Sequence, residues 1–192
     1  MTDSSLPTSG AAALFTSTLI REQQAVYGFV RGLVGNAEQA RDITQDVFLF
    51  AWQAAQDGTP PFHASKDERG VRRWLYCVAY RRAASALRHQ GVVSFERLNI
   101  DDDAQLARLG TETPFEEAIA EQEILRTALA ELGTDDAACL LLYVVQGFTT
   151  REIATMLEIT LDAAKKRVAR AKQRLRDSYF AREQSPAAKE IR

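Results

Sequence analysis

The chain of 192 residues is poor in several of the features that usually announce a function. Alternating apolar and polar runs of the β-strand kind are nearly absent, so sheet-based architectures have little to be built from. Cysteine occurs twice, at Cys77 and Cys139, far apart in apolar helical patterns and without Cys-x-x-Cys or Cys/His spacing. Buried reduced thiols fit that pattern, and neither a redox pair nor a metal site does. His63 and His89 are isolated, and no P-loop, metal constellation or nucleophile–base set is present. An enzyme is therefore not expected, and no cofactor or metal is implied. No apolar run approaches the roughly 18–20 residues of a membrane span, and MTDSSLPTSG lacks the basic and apolar segments of a secretory signal. The expected location is the cytoplasm, without membrane insertion. Charge of one sign is not in surplus either, since the formal net charge is −2. A protein that coats nucleic acid indiscriminately is thereby excluded, and any contact with phosphate must come from segregated patches. No internal repeat is evident.

Such a patch exists. Residues 163–176 hold seven bases (Lys165, Lys166, Arg167, Arg170, Lys172, Arg174, Arg176) and no acid. Upstream lie a short helical pattern, with Ile153, Ala154 and Leu157 as inward positions, and a turn plugged by Ile159. Ala164, Val168, Ala171 and Leu175 continue the inward face of the basic helix. A helix, a tight turn and a cationic second helix match what the DNA major groove accepts. Thr149, Thr150 and Arg151 at the start of the first helix form a natural phosphate dock. The bland alternative, a solvated surface helix, does not account for seven bases without an acid.

Helical periodicity runs through most of the remainder. Residues 14–34 place Leu19, Val26, Phe29, Val30 and Leu33 on one stripe and stop at Gly35-Asn36, both tolerant of a left-handed cap. Residues 37–56 put Ile43, Val47, Phe50 and Ala51 on one face and end before Pro60-Pro61, which lack the donor a helix interior requires. A third helix, 71–89, carries Leu75, Val78, Ala79, Ala86 and Leu87, and Phe15 and Trp52 are further core candidates. Residues 96–123 then contain nine acids against two bases. The segment 91–114 reads as a linker that buries too little apolar surface to order by itself. Helices return at 115–132, with Ile119, Leu125, Ala128, Leu129 and Leu132 inward, and at 135–146, capped by Thr134 and closed by Gly147. Thr149 or Thr150 caps the next helix, with Glu152 nearby. The expectation is all-α: two small helical domains, 14–90 and 115–180, joined by an acidic flexible linker, with a flexible N-terminus (1–13) and tail (181–192). The second domain carries the helix-turn-helix.

The segment YVVQGFTTREIATMLEITLDAAKKRVARAKQRLR resembles the promoter −35 binding region of bacterial sigma factors of the extracytoplasmic-function (ECF) group. The matching residues are Gly147, Thr149, Glu152-Ile153-Ala154, Leu157, Lys165, Arg170-Ala171-Lys172 and Leu175. Where the family commonly has Gly-Thr-Val and a small polar residue around the first recognition base, this chain has Asp162-Ala163-Ala164 and Lys166. The resemblance implies −35 contacts by Thr149, Thr150, Arg151, Lys165, Lys166, Ala169 and Arg170.

Two further segments extend the resemblance over nearly the whole chain. AEQARDITQDVFLFAW, with Asp42, Ile43, Gln45, Asp46 and Phe48, is similar to the sigma segment that docks on the β′ coiled coil of core RNA polymerase. Asp42, Gln45 and Asp46 fall at i, i+3 and i+4, a polar face opposite Ile43, Val47 and Phe50. RRWLYCVAYRRAASALRHQ interleaves Arg72, Arg73, Arg81, Arg82 and Arg88 with Trp74, Tyr76 and Tyr80, a composition suited to single-stranded DNA. It resembles the region that recognises and melts the −10 element, which implies contacts by Arg72, Arg73, Trp74, Tyr80, Arg81 and Arg88. Tyr80 and Ser85 stand where the family often has Asn and Asp, and Trp74 suits a wedge at the melted edge and a core position equally well. The loop before this helix captures a flipped base in the family, with His63, Ser65 and Lys66 in place here.

The function implied is that of a transcription initiation factor. Its expected partners are core RNA polymerase (β′ coiled coil and β flap), promoter DNA both duplex and melted, and an anti-sigma factor. A stand-alone helix-turn-helix regulator is the alternative. It leaves the Asp42/Gln45/Asp46 face and the aromatic-basic helix unexplained.

Overall fold

The computed structural model describes residues 9–56, 67–89 and 124–183. Helices α1 (Ser9–Val34), α2 (Ala37–Gln56) and α3 (Glu68–His89) are followed by α4 (helical residues 124–130), α5 (Thr134–Val144), α6 (Thr150–Met156) and α7 (Leu161–Glu183). No described residue lies in a strand. The acidic segment 91–114, residues 1–8, the loop positions His63, Ser65 and Lys66, and the tail beyond 183 lie outside the described residues. The chain divides into two compact units, residues 1–30 with 37–92 and residues 31–36 with 93–192.

In the first unit the apolar stripes meet as helical spacing requires. Phe15, Leu19, Val26, Phe29 and Val30 of α1 are buried, as are Ile43, Val47 and Ala51 of α2 and Leu75, Tyr76, Ala79 and Ala83 of α3. Alanine at 51, 79 and 83 lets the helix axes approach closely, and the bulk of Phe29 and Tyr76 fills the space around them. Those two rings meet edge to face with centroids 5.4 Å apart, the arrangement that aromatic quadrupoles favour. Gly35, at φ 74°, closes α1 in the left-handed conformation expected of it. α3 starts three residues earlier than the periodicity predicts. Asp67 accepts a 2.8 Å hydrogen bond from the Gly70 amide and thereby satisfies one orphan donor of the first turn.

Trp52 is not a core residue, since it is 52% exposed. It follows Ala51, which sits at the buried centre of the α2 stripe, and one residue turns a side chain about 100° around the helix. Trp74 takes the inner aromatic place, 6.0 Å from Phe15 and stacked at 6.0 Å on Phe50.

In the second unit, Ala137, Ala138, Cys139, Leu140 and Leu142 of α5 pack with Ile153, Ala154 and Met156 of α6 and with Ala164, Val168 and Ala171 of α7. Burial pushes the Cys139 thiol up to about 11, in keeping with an inert core residue, and neither cysteine is in a disulfide. Thr134 does not cap α5: it is the first helical residue, Gly133 is the cap, and no side chain bonds there. The acids of that first turn instead face α7, as described below. Gly147, at φ 69°, reverses the chain after α5, so that the Phe148 amide donates to the Leu142 carbonyl at 3.0 Å. The Phe148 ring is buried beneath the start of α6. The turn between α6 and α7 is built on Glu158, at φ 57°. Thr160 then caps α7 by accepting a bond from the Ala163 amide at 3.1 Å.

Phe148 joins the α5 exit to the helix-turn-helix, so Phe148→Ala is expected to lower unfolding stability by about 3–5 kcal/mol. A urea titration of the variant against the parent chain measures this, and a loss under 1 kcal/mol contradicts the anchoring role.

Candidate nucleic-acid interface

α3 carries its bases on two different faces. Arg73, Arg81 and Arg88 are exposed, and their separations of eight and seven residues keep them within an arc of about 80°. Arg72 turns inward. Its Nε lies 3.0 Å from Glu22 Oε1 of α1, and its guanidinium stands 6.0 Å from the Tyr76 ring centroid. The Tyr76 hydroxyl donates to Glu22 Oε2 at 3.2 Å. Burial, with the Glu22 carboxylate beside it, pushes the Tyr76 phenol well up, so it stays a protonated donor. Arg72 thus braces α1 against α3, a role that sequence reading did not assign to it. Trp74 is held between Phe15 and Phe50, and Tyr80 is half-buried. Arg82 sits 5.2 Å over the Phe50 ring and 3.6 Å from Asp46.

On α2, Asp42, Gln45 and Asp46 are exposed opposite the buried Ile43 and Val47, while Phe48 is half-buried. The same side continues through the exposed Leu49 and Trp52. The spacing 42, 45, 49, 52 follows the helix surface, so this face passes from polar to apolar along its length. That continuation was readable as spacing, yet Trp52 had been assigned to the core.

α7 divides its charge as well. Lys165, Lys166 and Ala169 are exposed, and among the described residues neither lysine has an ion-pair partner. The arginines are tied to the first turn of α5. Arg167 Nη1 donates to Asp135 Oδ2 at 2.7 Å. Arg170 grips Asp136 with two bonds, Nε to Oδ2 at 2.7 Å and Nη2 to Oδ1 at 2.6 Å. Arg174 stands 3.7 Å from the same carboxylate, and Lys172 Nζ lies 4.2 Å from the Tyr143 ring centroid. The hydrogen bonds from Arg170 hold the Asp136 carboxyl below the usual carboxylate range, and Asp136 in turn raises Arg170. The positions 167, 170 and 174 share a helix face, which was the available signal. It becomes meaningful only once the acids of α5 are known to lie opposite.

The start of α6 is already occupied. The Thr149 amide and hydroxyl each donate to Glu152 Oε2 at 2.8 Å, and the Glu152 amide returns a bond to Thr149 Oγ1 at 3.3 Å. This capping box places a carboxylate where a phosphate dock was expected. Arg151 remains exposed beside it. Among the described residues no group of His, Cys, Asp and Glu could hold a metal ion, and no helix is long and apolar enough to cross a membrane.

Comparison with known proteins matches residues 19–92 to the family model described as Sigma-70 region 2, and residues 122–175 to Sigma-70, region 4. The chain is 30% identical to ECF RNA polymerase sigma factor SigL of Mycobacterium tuberculosis over 173 residues, covering 88% of this chain and 92% of the relative. It is 29% identical to RNA polymerase sigma factor CarQ of Myxococcus xanthus, over 88% of this chain and 90% of that one. With ECF RNA polymerase sigma factor SigE of Mycolicibacterium smegmatis the identity is 27% over 88% of this chain, which spans only 63% of the relative. A solved structure of the sigma factor RpoE from Bartonella quintana, in complex with the anti-sigma factor NepR, shares the fold. Its TM-score is 0.66 at 23% identity, covering 85% of this chain and 95% of that one.

The Asp136 carboxyl makes acid stability measurable at one site. Its folded-state titration lies below the unfolded value, so its contribution is present above that value and is lost as pH falls through the folded one. Asp136→Asn is expected to lower the thermal midpoint at pH 7, and the gap to the parent chain begins to close only as pH drops below about 4, vanishing once the folded-state carboxyl is itself protonated. A gap independent of pH refutes the ionic origin.

Proposed function

The chain belongs to the ECF RNA polymerase sigma factors, and from that premise we propose how three of its helical faces divide the work of initiation. The protein is a transcription initiation factor. The acidic-to-apolar face of α2, with Asp42, Gln45, Asp46 and Phe48, docks on core RNA polymerase. The exposed bases of α3, Arg73, Arg81 and Arg88, follow the opened strand at the −10 element, with Tyr80 at their flank. Arg72 and Trp74 support that helix from within. Lys165, Lys166 and Ala169 of α7, with Arg151, meet the −35 duplex. Residues 14–90 then serve as the polymerase and −10 domain, residues 115–180 as the −35 domain, and 91–114 as the linker between them.

The observation that supports this division is segregation of charge by face. α3 and α7 present exposed bases, whereas α2 presents acids and apolar groups in a row. A polyanion attracts the first two and repels the third, so the α2 face suits a basic protein helix. Strand opening in this scheme draws on captured bases and single-strand contacts, without nucleotide hydrolysis, and the protein is not an enzyme. It works in the cytoplasm with its polymerase. An anti-sigma factor, the partner carried by the Bartonella quintana neighbour, is the protein class expected to restrain it. A stand-alone regulator would bind specific duplex DNA without polymerase.

Purified protein mixed with core RNA polymerase on promoter DNA tests the scheme. It fails if the protein neither co-purifies with core enzyme nor supports initiation. Asp42→Lys is expected to weaken core binding at least about tenfold, because a like charge is set against a basic partner. Asp42 serves better than Asp46, whose carboxylate also faces Arg82. Lys165→Ala is expected to lower affinity for the upstream duplex and leave core binding unchanged. Equal loss of both activities would signal misfolding and count against the separation of faces.

A further inference from the structure

Among the described residues, the grip of Asp136 on Arg170 leaves one edge of the guanidinium unused. We propose that Asp136 is a positioning residue for −35 recognition, turning Arg170 so that its free fork meets a single guanine of the upstream element. This inference rests on the −35 reading of α7 given above. A guanidinium has five N–H donors in a fixed plane. Asp136 takes the side edge, Nε–H and one N–H of Nη2. The end edge, Nη1 with the second N–H of Nη2, keeps the parallel geometry that matches guanine O6 and N7.

Exposure sets the two groups in order. The Asp136 side chain is 7% exposed and that of Arg170 is 50% exposed, so the acid lies on the core side of the guanidinium. Arg174, 3.7 Å from Asp136, steadies the carboxylate from a second direction. A guanidinium held in this way has already lost its rotamer freedom before DNA arrives, so less entropy is lost on contact.

Charge separates guanine from phosphate as the target. A carboxylate 2.6 Å from the guanidinium cancels most of its pull on a phosphate and repels that phosphate directly. A guanine edge is neutral and offers only acceptors, so it tolerates the acid behind the donor. Lys165 and Lys166, exposed and without ion-pair partners among the described residues, are the point charges suited to the backbone. Asp135 with Arg167 repeats the pairing one turn earlier through a single bond at 2.7 Å, and so supplies a control of equal charge.

The test uses the full chain bound to core RNA polymerase, on promoter DNA whose upstream hexamer is randomised, with the retained fraction sequenced. The parent chain is expected to select guanine at one position that Asp136→Asn and Arg170→Ala both relax about tenfold. Selection at the other positions stays as it was, and the double variant loses no more than Arg170→Ala alone. Asp135→Asn keeps the preference. Arg170→Lys, which keeps the charge and loses the fork, relaxes it. The proposal is overturned if Asp136→Asn selects the same guanine as strongly as the parent, or binds all sequences more tightly by one common factor. Circular dichroism checks folding, and if Asp136→Asn is unfolded then Arg170→Lys decides, a retained preference overturning the proposal. A parent holoenzyme with no upstream preference at all removes the −35 reading itself, an outcome distinct from the others.

Discussion

Helices α3 and α7 each have to bury one arc of their circumference and expose a run of bases on another. Side chains advance about 100° per residue, so every arc given to packing is taken from the arc available for charge. Both helices resolve this with small residues inside. Ala79 and Ala83 of α3, and Ala164 and Ala171 of α7, are fully buried, and neighbouring helices come close without a wide apolar face. The exposed lysines of α7 and the exposed arginines of α3 depend on that economy of space. A bulky leucine at Ala171 would need a broader core and would displace the flanking bases.

Surplus charge on the same helices is turned to structural use. Each base-rich helix sends arginines sideways to acids on a neighbour: Arg72 to Glu22 of α1, and Arg167 and Arg170 to Asp135 and Asp136 of α5. These pairs relieve self-repulsion along the helix and fix its rotation about its own axis. Rotation matters here, because a helix turned by one residue would bury part of its exposed basic face and expose part of its packing face. In the cluster of Glu22, Arg72 and Tyr76, the carboxylate accepts a hydrogen bond from the Tyr76 hydroxyl and is paired by charge with Arg72. Removing any one member would strand a partner away from water.

Much of this was legible in the order of residues. Gly35 and Gly147 announce helix stops, and the periodicity of 43, 47 and 51 identifies the buried side of α2, although Phe50, read onto the same face, is 41% exposed. Thr149 or Thr150 with Glu152 nearby announces a cap for α6, and the structure chooses Thr149; the run of bases after Thr160 announces a helix with an exposed cationic face. What was not legible depends on partners remote in sequence. Trp52 and Trp74 both lie near apolar stripes, and only the approach of Phe15 and Phe50 decides that Trp74 goes inward. Arg170 and Asp136 are 34 residues apart, and nothing in either neighbourhood reveals that the helices bring them face to face. The acids of α5 suit a helix dipole equally well when taken alone. The ECF resemblance likewise points to segments without saying which of their bases are committed to internal pairs.

Under the division of faces proposed above, the capping box at α6 bears on how duplex DNA is held. Glu152 supplies an internal anion to the amide end of that helix, so a phosphate approaching it meets a site already neutralised. Fewer condensed ions are then displaced from the DNA when the second unit binds, since only unneutralised cations release them. In that scheme the grip of α7 on duplex is shallow in its dependence on salt, with Lys165 and Lys166 as its main electrostatic contributors. A contact of that kind would locate a sequence without clinging to every stretch of DNA.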